Sequence, residues 1–301
     1  MKTHILLSDS ILSTQFCASA EILCQEFGHH VMKTNIRGLS QEEILNIINH
    51  DRNVILEFNK NVPIANYKAN SNVLFVNRSP LDAQNSLFLD DNGYGANSHV
   101  VAKNINKYQA NDYIYQNIKD TYQPLGFNFE TRKLRENAIF IYLEGNDFDK
   151  IILDACAEHL PKDAYITVIA HPQNRDKLIQ IYGLYLDRFA NFDLFCDEIT
   201  DTVLSRCTAI ILRNNNICFR AMAMGIKVLA FDGGLYTASK AVCEYNQQNY
   251  KISSILAFHF TQESVINLFT NIHMSCIPID ASRNNLYYNS NFINYCSRMI
   301  V

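Results

Sequence analysis

The stretch Thr208-Ala209-Ile210-Ile211-Leu212-Arg213-Asn214-Asn215-Asn216-Ile217-Cys218-Phe219-Arg220-Ala221-Met222-Ala223-Met224-Gly225-Ile226-Lys227-Val228-Leu229-Ala230-Phe231 decides the fold. Thr208–Leu212 is an apolar run of strand length. Ile217–Met224 is an apolar segment of helix length that stops at Gly225, and Lys227–Phe231 is a second strand-like run. Strand, helix, strand in so short a span is a βαβ unit, whose strands lie parallel. Asparagine side chains accept from the first free amides of a helix, so Asn214, Asn215 and Asn216 suit an N-cap. The same junction suits an anion, because helix N-terminal amides are unpaired. A plain cap explains the three residues equally well.

The same rhythm extends outward. Ala138–Leu143, Ala164–Ala170 and Phe192–Cys196 read as strands. Asp147–Leu160, Arg175–Leu186 and Ile199–Arg206 read as the helices between them. Nearer the start, His4–Leu7, His30–Thr34, Asn53–Phe58, Asn72–Val76 and Ser86–Leu89 read as buried strands. A helix over Ser13–Phe27 stops at Gly28, and another starts at Ser40-Gln41-Glu42-Glu43, a capping-box pattern. Tyr108–Tyr122 reads as a helix and Gln123–Arg135 as the crossing between domains. Ser253–Phe260 reads as a strand, Thr261–Ile272 as a helix and Tyr287–Met299 as a last helix. Two consecutive α/β rhythms predict two Rossmann-like domains, 1–128 and 129–284. Ligands of such sheets bind beyond the carboxyl ends of the strands, so strand exits are where function is sought.

Composition narrows the function classes. The 301 residues are 48% apolar and 19% charged, enough apolar material for real cores. A net charge of −4 without a basic run argues against nucleic acid as a partner. Nine scattered cysteines without a Cys-x-x-Cys pair predict reduced thiols, neither a disulfide framework nor a zinc site. The apolar start, broken by Ser8-Asp9-Ser10, is too short for a signal peptide or a membrane span. The expected location is cytoplasmic, with contact at the inner membrane face left open.

Two further strand exits carry chemistry. In Ala170-His171-Pro172, Pro172 biases His171 away from helix and fixes an imidazole at the exit. It can donate to a phosphate, and a capping histidine is the competing reading. After Ser86–Leu89 comes Asp90-Asp91-Asn92-Gly93-Tyr94-Gly95. Paired carboxylates there can supply a base or a nucleophile, and an ordinary Asp/Asn/Gly turn has the same composition.

Together these segments resemble bacterial capsule polysaccharide synthesis proteins, a family that includes the β-Kdo transferases. Their signature resembles N-S-T-x-G-F-E-A-L-x-x-G-K-P-V followed by a strand and G-x-x-Y. Asn214–Val228 and Gly233-Gly234-Leu235-Tyr236 are similar to it, and Asp91-Asn92-Gly93-Tyr94 resembles an acidic E-N-G-Y element. Ile139–Glu144 is similar to the strand before the family's H-P element, here His171-Pro172. Bacterial sialyltransferases are the near alternative. The resemblance implies the GT-B architecture, two Rossmann-like domains facing across a cleft, with the segment 285–301 packing back on the first. It implies transfer of Kdo or a related acidic sugar from a CMP-activated donor to a glycan or glycolipid acceptor. His171 would contact the donor phosphate or ribose, and Asn215 and Asn216 would stand where the family places Ser/Thr. Asp91 or Asp90 would face the anomeric carbon. Asn92, Gly93, Tyr94, Glu144, Pro172, Asn214 and Tyr236 complete the implied substrate site. No cofactor or metal is expected, since a monophosphate-linked sugar lacks the diphosphate that recruits Mg²⁺. Two departures stand out: Arg220 replaces the glutamate of F-E-A, and Asn215-Asn216 replace the Ser-Thr pair. Arg220 could pair with a donor carboxylate. A UDP-sugar enzyme and a non-catalytic assembly protein remain the other readings, and oligomeric state is open.

Overall fold

The computed structural model describes residues 1–57, 71–91, 98, 101, 110–122, 138–170, 172–195, 199–237, 239–245, 252 and 254–299. The strands are β1 Lys2–Leu7, β2 His30–Asn35, β3 Asn53–Glu57, β4 Asn72–Arg78, β5 Ser86–Asp90, β6 Ala138–Leu143, β7 Tyr165–Ala170, β8 Asn191–Phe195, β9 Ala209–Leu212, β10 Lys227–Ala230, β11 Cys243–Glu244 and β12 Cys276–Pro278. The helices are α1 Asp9–Leu12, α2 Gln15–Glu26, α3 Gln41–Asp51, α4 Asp112–Tyr122, α5 Phe148–His159, α6 Arg175–Tyr185, α7 Asp201–Leu204, α8 Ile217–Ala223, α9 Ser254–Ala257, α10 Gln262–His273, α11 Arg283–Tyr288 and α12 Ser290–Ser297. They form two compact units, residues 1–109 with 269–301, and residues 110–268. The sequence boundaries stood at 128/129 and 284/285, and Gln123–Arg135 lies outside the described residues.

The first unit is built on a sheet of order β2-β1-β3-β4-β5-β12. Strands β1 to β4 are parallel, while β5 runs antiparallel to β4 and β12 antiparallel to β5. The apolar end of β1, Ile5-Leu6-Leu7, is covered on both faces. Ile5 and Leu7 join Phe16, Cys17 and Leu23 of α2 in one core. Leu6 turns to the other face, against Ile44 and Ile48 of α3. Each such side chain, fully buried, contributes about 1.5–3 kcal/mol. α3 starts with the expected capping box: the Ser40 hydroxyl accepts from Glu43 N, and the Glu43 carboxylate accepts from Ser40 N at 2.7 Å.

The second unit holds a fully parallel sheet of order β8-β7-β6-β9-β10-β11. In chain order within the unit this is 3-2-1-4-5-6, the doubly wound Rossmann arrangement, and the strand order reverses between β6 and β9. Ile139, Ile141, Val168, Ile211 and Leu229 form its central core.

The helix expected over Ser13–Phe27 forms as α2, Gln15–Glu26, with Thr14 as its N-cap, whose hydroxyl accepts from Cys17 N. Two other sequence expectations are corrected. The strand expected over Ser253–Phe260 does not form among its described residues, 254–260. Ser254–Ala257 is a helical turn that buries Ile255, with Ile252, in the core, and β11 occupies the sheet position beside β10. The last helix is two, α11 and α12, broken at Asn289. There the backbone leaves helical geometry, and the side chain accepts from Asn291 N and Phe292 N, both at 3.1 Å.

Candidate functional site

Parallel strands bring all their carboxyl ends to one edge of the second unit, so the exits of β6, β9 and β10 are neighbours. The exit of β6 is closed by the chain itself. Asp149, buried in the first turn of α5, accepts from Glu144 N at 3.0 Å, Gly145 N at 2.6 Å and Asn146 N at 3.1 Å. Burial pushes the Asp149 carboxyl up from its ordinary range, against these three amides, which favour the charged form. Gly145 has φ +76, and a Cβ there would meet Asn174 at 2.7 Å. Asn174 Nδ2 in turn donates to Glu144 O at 2.8 Å. The amides that a dinucleotide fold offers to a pyrophosphate after its first strand are therefore already filled.

The exit of β9 is built differently. Asn215 Oδ1 accepts from Ile217 N at 3.0 Å, so Asn215 caps α8, while Asn216 is exposed and makes no side-chain cap. Asn215 also hydrogen-bonds the hydroxyl of Tyr142 on β6; burial and the charge of Glu144 raise that phenol's pKa and the Asn215 contact opposes them. Asn214 Nδ2 reaches Gly233 O at 2.9 Å, tying the β9 and β10 exits. Tyr236 is buried, donates to Asp232 O at 2.8 Å, and leaves no room for a Cβ on Gly234. Thus Glu144, Asn214, Asn215, Asn216 and Tyr236 share one sheet edge. Arg220 faces elsewhere in the unit: its guanidinium pairs with Asp201 through Nε at 2.9 Å and through Nη2, and Nη1 donates to Ile199 O at 3.2 Å. Pro172 opens a single tight turn, Pro172–Asn174, before α6. His171 lies outside the described residues.

Arg213 was passed over in the sequence. Its Nε donates to Asp232 Oδ2 at 2.5 Å, and its guanidinium lies 4.5 Å from the centre of the Phe148 ring. The available signal was a charged residue directly after a buried strand. Asp149 could have been found likewise, as a carboxylate in the helix turn after Gly145.

In the first unit the acidic pair stands at an edge its sequence position did not suggest. Asp90 pairs with Phe75 across an antiparallel ladder, so the chain leaves β5 toward the starting ends of β1, β3 and β4. Asp90 is fully buried and accepts from the Ser98 hydroxyl. Asp91 Oδ2 pairs with Arg298 Nη2 at 2.9 Å, and Asp91 Oδ1 is buried with no hydrogen bond among the described residues. Asn92, Gly93 and Tyr94 lie outside the described residues. At the carboxyl edge, where the order reverses between β1 and β3, stands Glu57. Its Oε2 accepts from Ser8 N at 2.6 Å.

Among the described residues no three His, Cys, Asp or Glu side chains are grouped to hold a metal ion. None of their helices is long and apolar enough to cross a membrane. An open groove of about 800 Å³ between α4 and α10, lined by Asp112, Tyr113, Gln116, Gln262 and Glu263, shares no residue with the strand exits.

No protein-family model matches the chain, and no curated protein does. Solved structures do. The β-Kdo 2,4 transferase of Thermosulfurimonas dismutans KpsC aligns at TM-score 0.51 and 14% identity, over 90% of this chain and 89% of that one. The β-Kdo 2,7 transferase of the same KpsC aligns at 0.49 and 14%, over 89% and 90%. A UDP-GlcNAc 2-epimerase from Neisseria meningitidis, bound to UDP-GlcNAc, aligns at 0.35 and 12%, over 91% and 99%. The first of these carries the fold: a glycosyltransferase-like GT-B architecture of two Rossmann-like units.

Proposed function

We propose that this chain is a glycosyltransferase that takes its sugar from a nucleotide-activated donor held at the strand exits of the second unit. The observation that carries the reading is the exit edge of that sheet. The order reverses between β6 and β9, the usual ligand position. With the amides after β6 occupied by Asp149, a donor phosphate is left to the exits of β7, β9 and β10. His171, Asn215 and Asn216 stand on those exits in sequence. Charge develops on the leaving phosphate as the glycosidic bond breaks, and fixed donors there lower the barrier. The sequence resemblance makes the donor a CMP-linked acidic sugar such as Kdo, and the acceptor a bacterial surface glycan or glycolipid. The fold likeness is compatible with both.

The resemblance assigns the carboxylate at the anomeric carbon to Asp91, with Asp90 as its alternate. An orphaned carboxylate oxygen at Asp91 is consistent with a partner that arrives with the reactants. The direction of β5 favours a second reading, in which Glu57, at the carboxyl edge, takes that role. The test is transfer from CMP-Kdo and CMP-sialic acid to a glycan acceptor. Asp91→Asn is expected to abolish turnover and Glu57→Gln to preserve most of it. The reverse result moves the role to Glu57, and no transfer by the unmodified protein from any activated sugar removes the enzyme reading.

A further inference from the structure

We infer that Arg213 is the residue that binds the donor's oxyanion in the second unit. The inference rests on the proposed nucleotide-sugar site and names the group within it that meets the ligand's charge. Arg213 leaves β9, the strand between β6 and β10. Its guanidinium reaches to both neighbours: Nε to Asp232 beyond β10 at 2.5 Å, and its plane to Phe148 beyond β6 at 4.5 Å. These two contacts fix the plane of the fork. Nη1 and Nη2 make no hydrogen bond among the described residues, and the side chain is 40% exposed. A guanidinium held from behind, with its terminal nitrogens open, matches two oxygens of a phosphate or a carboxylate. Arg220 has the opposite arrangement, since Nε, Nη1 and Nη2 are all engaged by Asp201 and Ile199. The anion has no competing cradle after β6, because Asp149 fills it.

Both the nucleotide phosphate and the carboxylate of an acidic sugar present this chemistry. Calorimetric titration separates them. The full chain is titrated with CMP and UMP, with cytidine and uridine, and with free Kdo and its methyl ester. The unmodified protein, Arg213→Gln and Arg213→Lys are compared, with unliganded unfolding curves as the check on folding. A phosphate contact predicts that Arg213→Gln weakens nucleotide binding about tenfold or more and leaves nucleoside binding unchanged. A carboxylate contact predicts the same loss for free Kdo and none for its ester. Arg213→Lys keeps the charge without the fork and falls between, which serves if the glutamine variant does not fold. Equal affinity of the variants and the unmodified protein for every anion overturns the inference and leaves the donor site standing. Failure of the unmodified protein to bind any nucleotide or free Kdo overturns the donor site, and the inference with it.

Discussion

Arg220 shows how a residue in a signature position takes on structural work. It holds the start of α7 to α8 through Asp201 and Ile199 O. Arg220→Gln is expected to lower unfolding free energy by about 1–3 kcal/mol, the scale of hydrogen bonds to a charged group. Urea denaturation measures it, and an unchanged midpoint would show that the contact contributes nothing. A buried histidine sets a pH dependence. Burial lowers the pKa of His29 below the ordinary imidazole value. Its contribution to stability is full above the unfolded value, about 6.5. It declines as pH falls through that value toward the folded one, because the unfolded chain binds the proton more readily. Stability from urea titration is therefore expected to fall between pH 7.5 and 5.5, and to fall less in His29→Gln. The carboxylate of Asp51, whose pKa is lowered, loses its contribution only in more acid solution, so it does not mimic this effect.

At the level of elements, most of what the sequence offered was local and periodic. The capping box at Ser40 and Glu43 was readable because a cap is a contact between residues three apart. Ser40→Ala is expected to cost about 1 kcal/mol, read as a shift of the denaturation midpoint. The helical turn Ser254–Ala257 was not readable, since it is decided by packing of Ile255 into the core, whereas the break at Asn289 is a local cap that the sequence reading missed. The β6–α5 turn is sensitive to substitution at Gly145. Gly145→Ala meets both a positive φ and the Asn174 side chain, whereas Gly225→Ala, with φ +71, meets open space. Gly225→Ala is expected to cost about 1–2 kcal/mol from backbone strain alone. Gly145→Ala is expected to cost more, and also to weaken nucleotide binding, because Asn174 and the amides around Asp149 must move. Equal thermal shifts for the two variants would remove the special place given to the β6 exit.

On the scale of the whole molecule, two α/β rhythms were enough to read two Rossmann-like units, because buried parallel strands announce themselves as apolar runs. Strand direction was not legible. β5 is as apolar as its neighbours, yet it runs antiparallel, and this moves Asp90 and Asp91 to the far edge of their sheet. Strand order was hidden for the same reason, since periodicity reports burial and not neighbours. The candidate site was therefore half legible. Asn214, Asn215, Asn216 and Glu144 do gather with Tyr236 at one edge, and Arg213 and Asp149 left a local signal at their strand exits, whereas Glu57 acquires meaning only from topology. A thermal-shift panel of CMP, UMP, UDP, GDP and ADP probes the nucleotide-sugar site at the exits of the second unit. Stabilisation by CMP is expected, about 2.7 kcal/mol at a hundredfold excess over Kd, and little by the others. Stabilisation by UDP or GDP instead would keep the site and contradict the donor, and no response to any nucleotide would contradict the site itself.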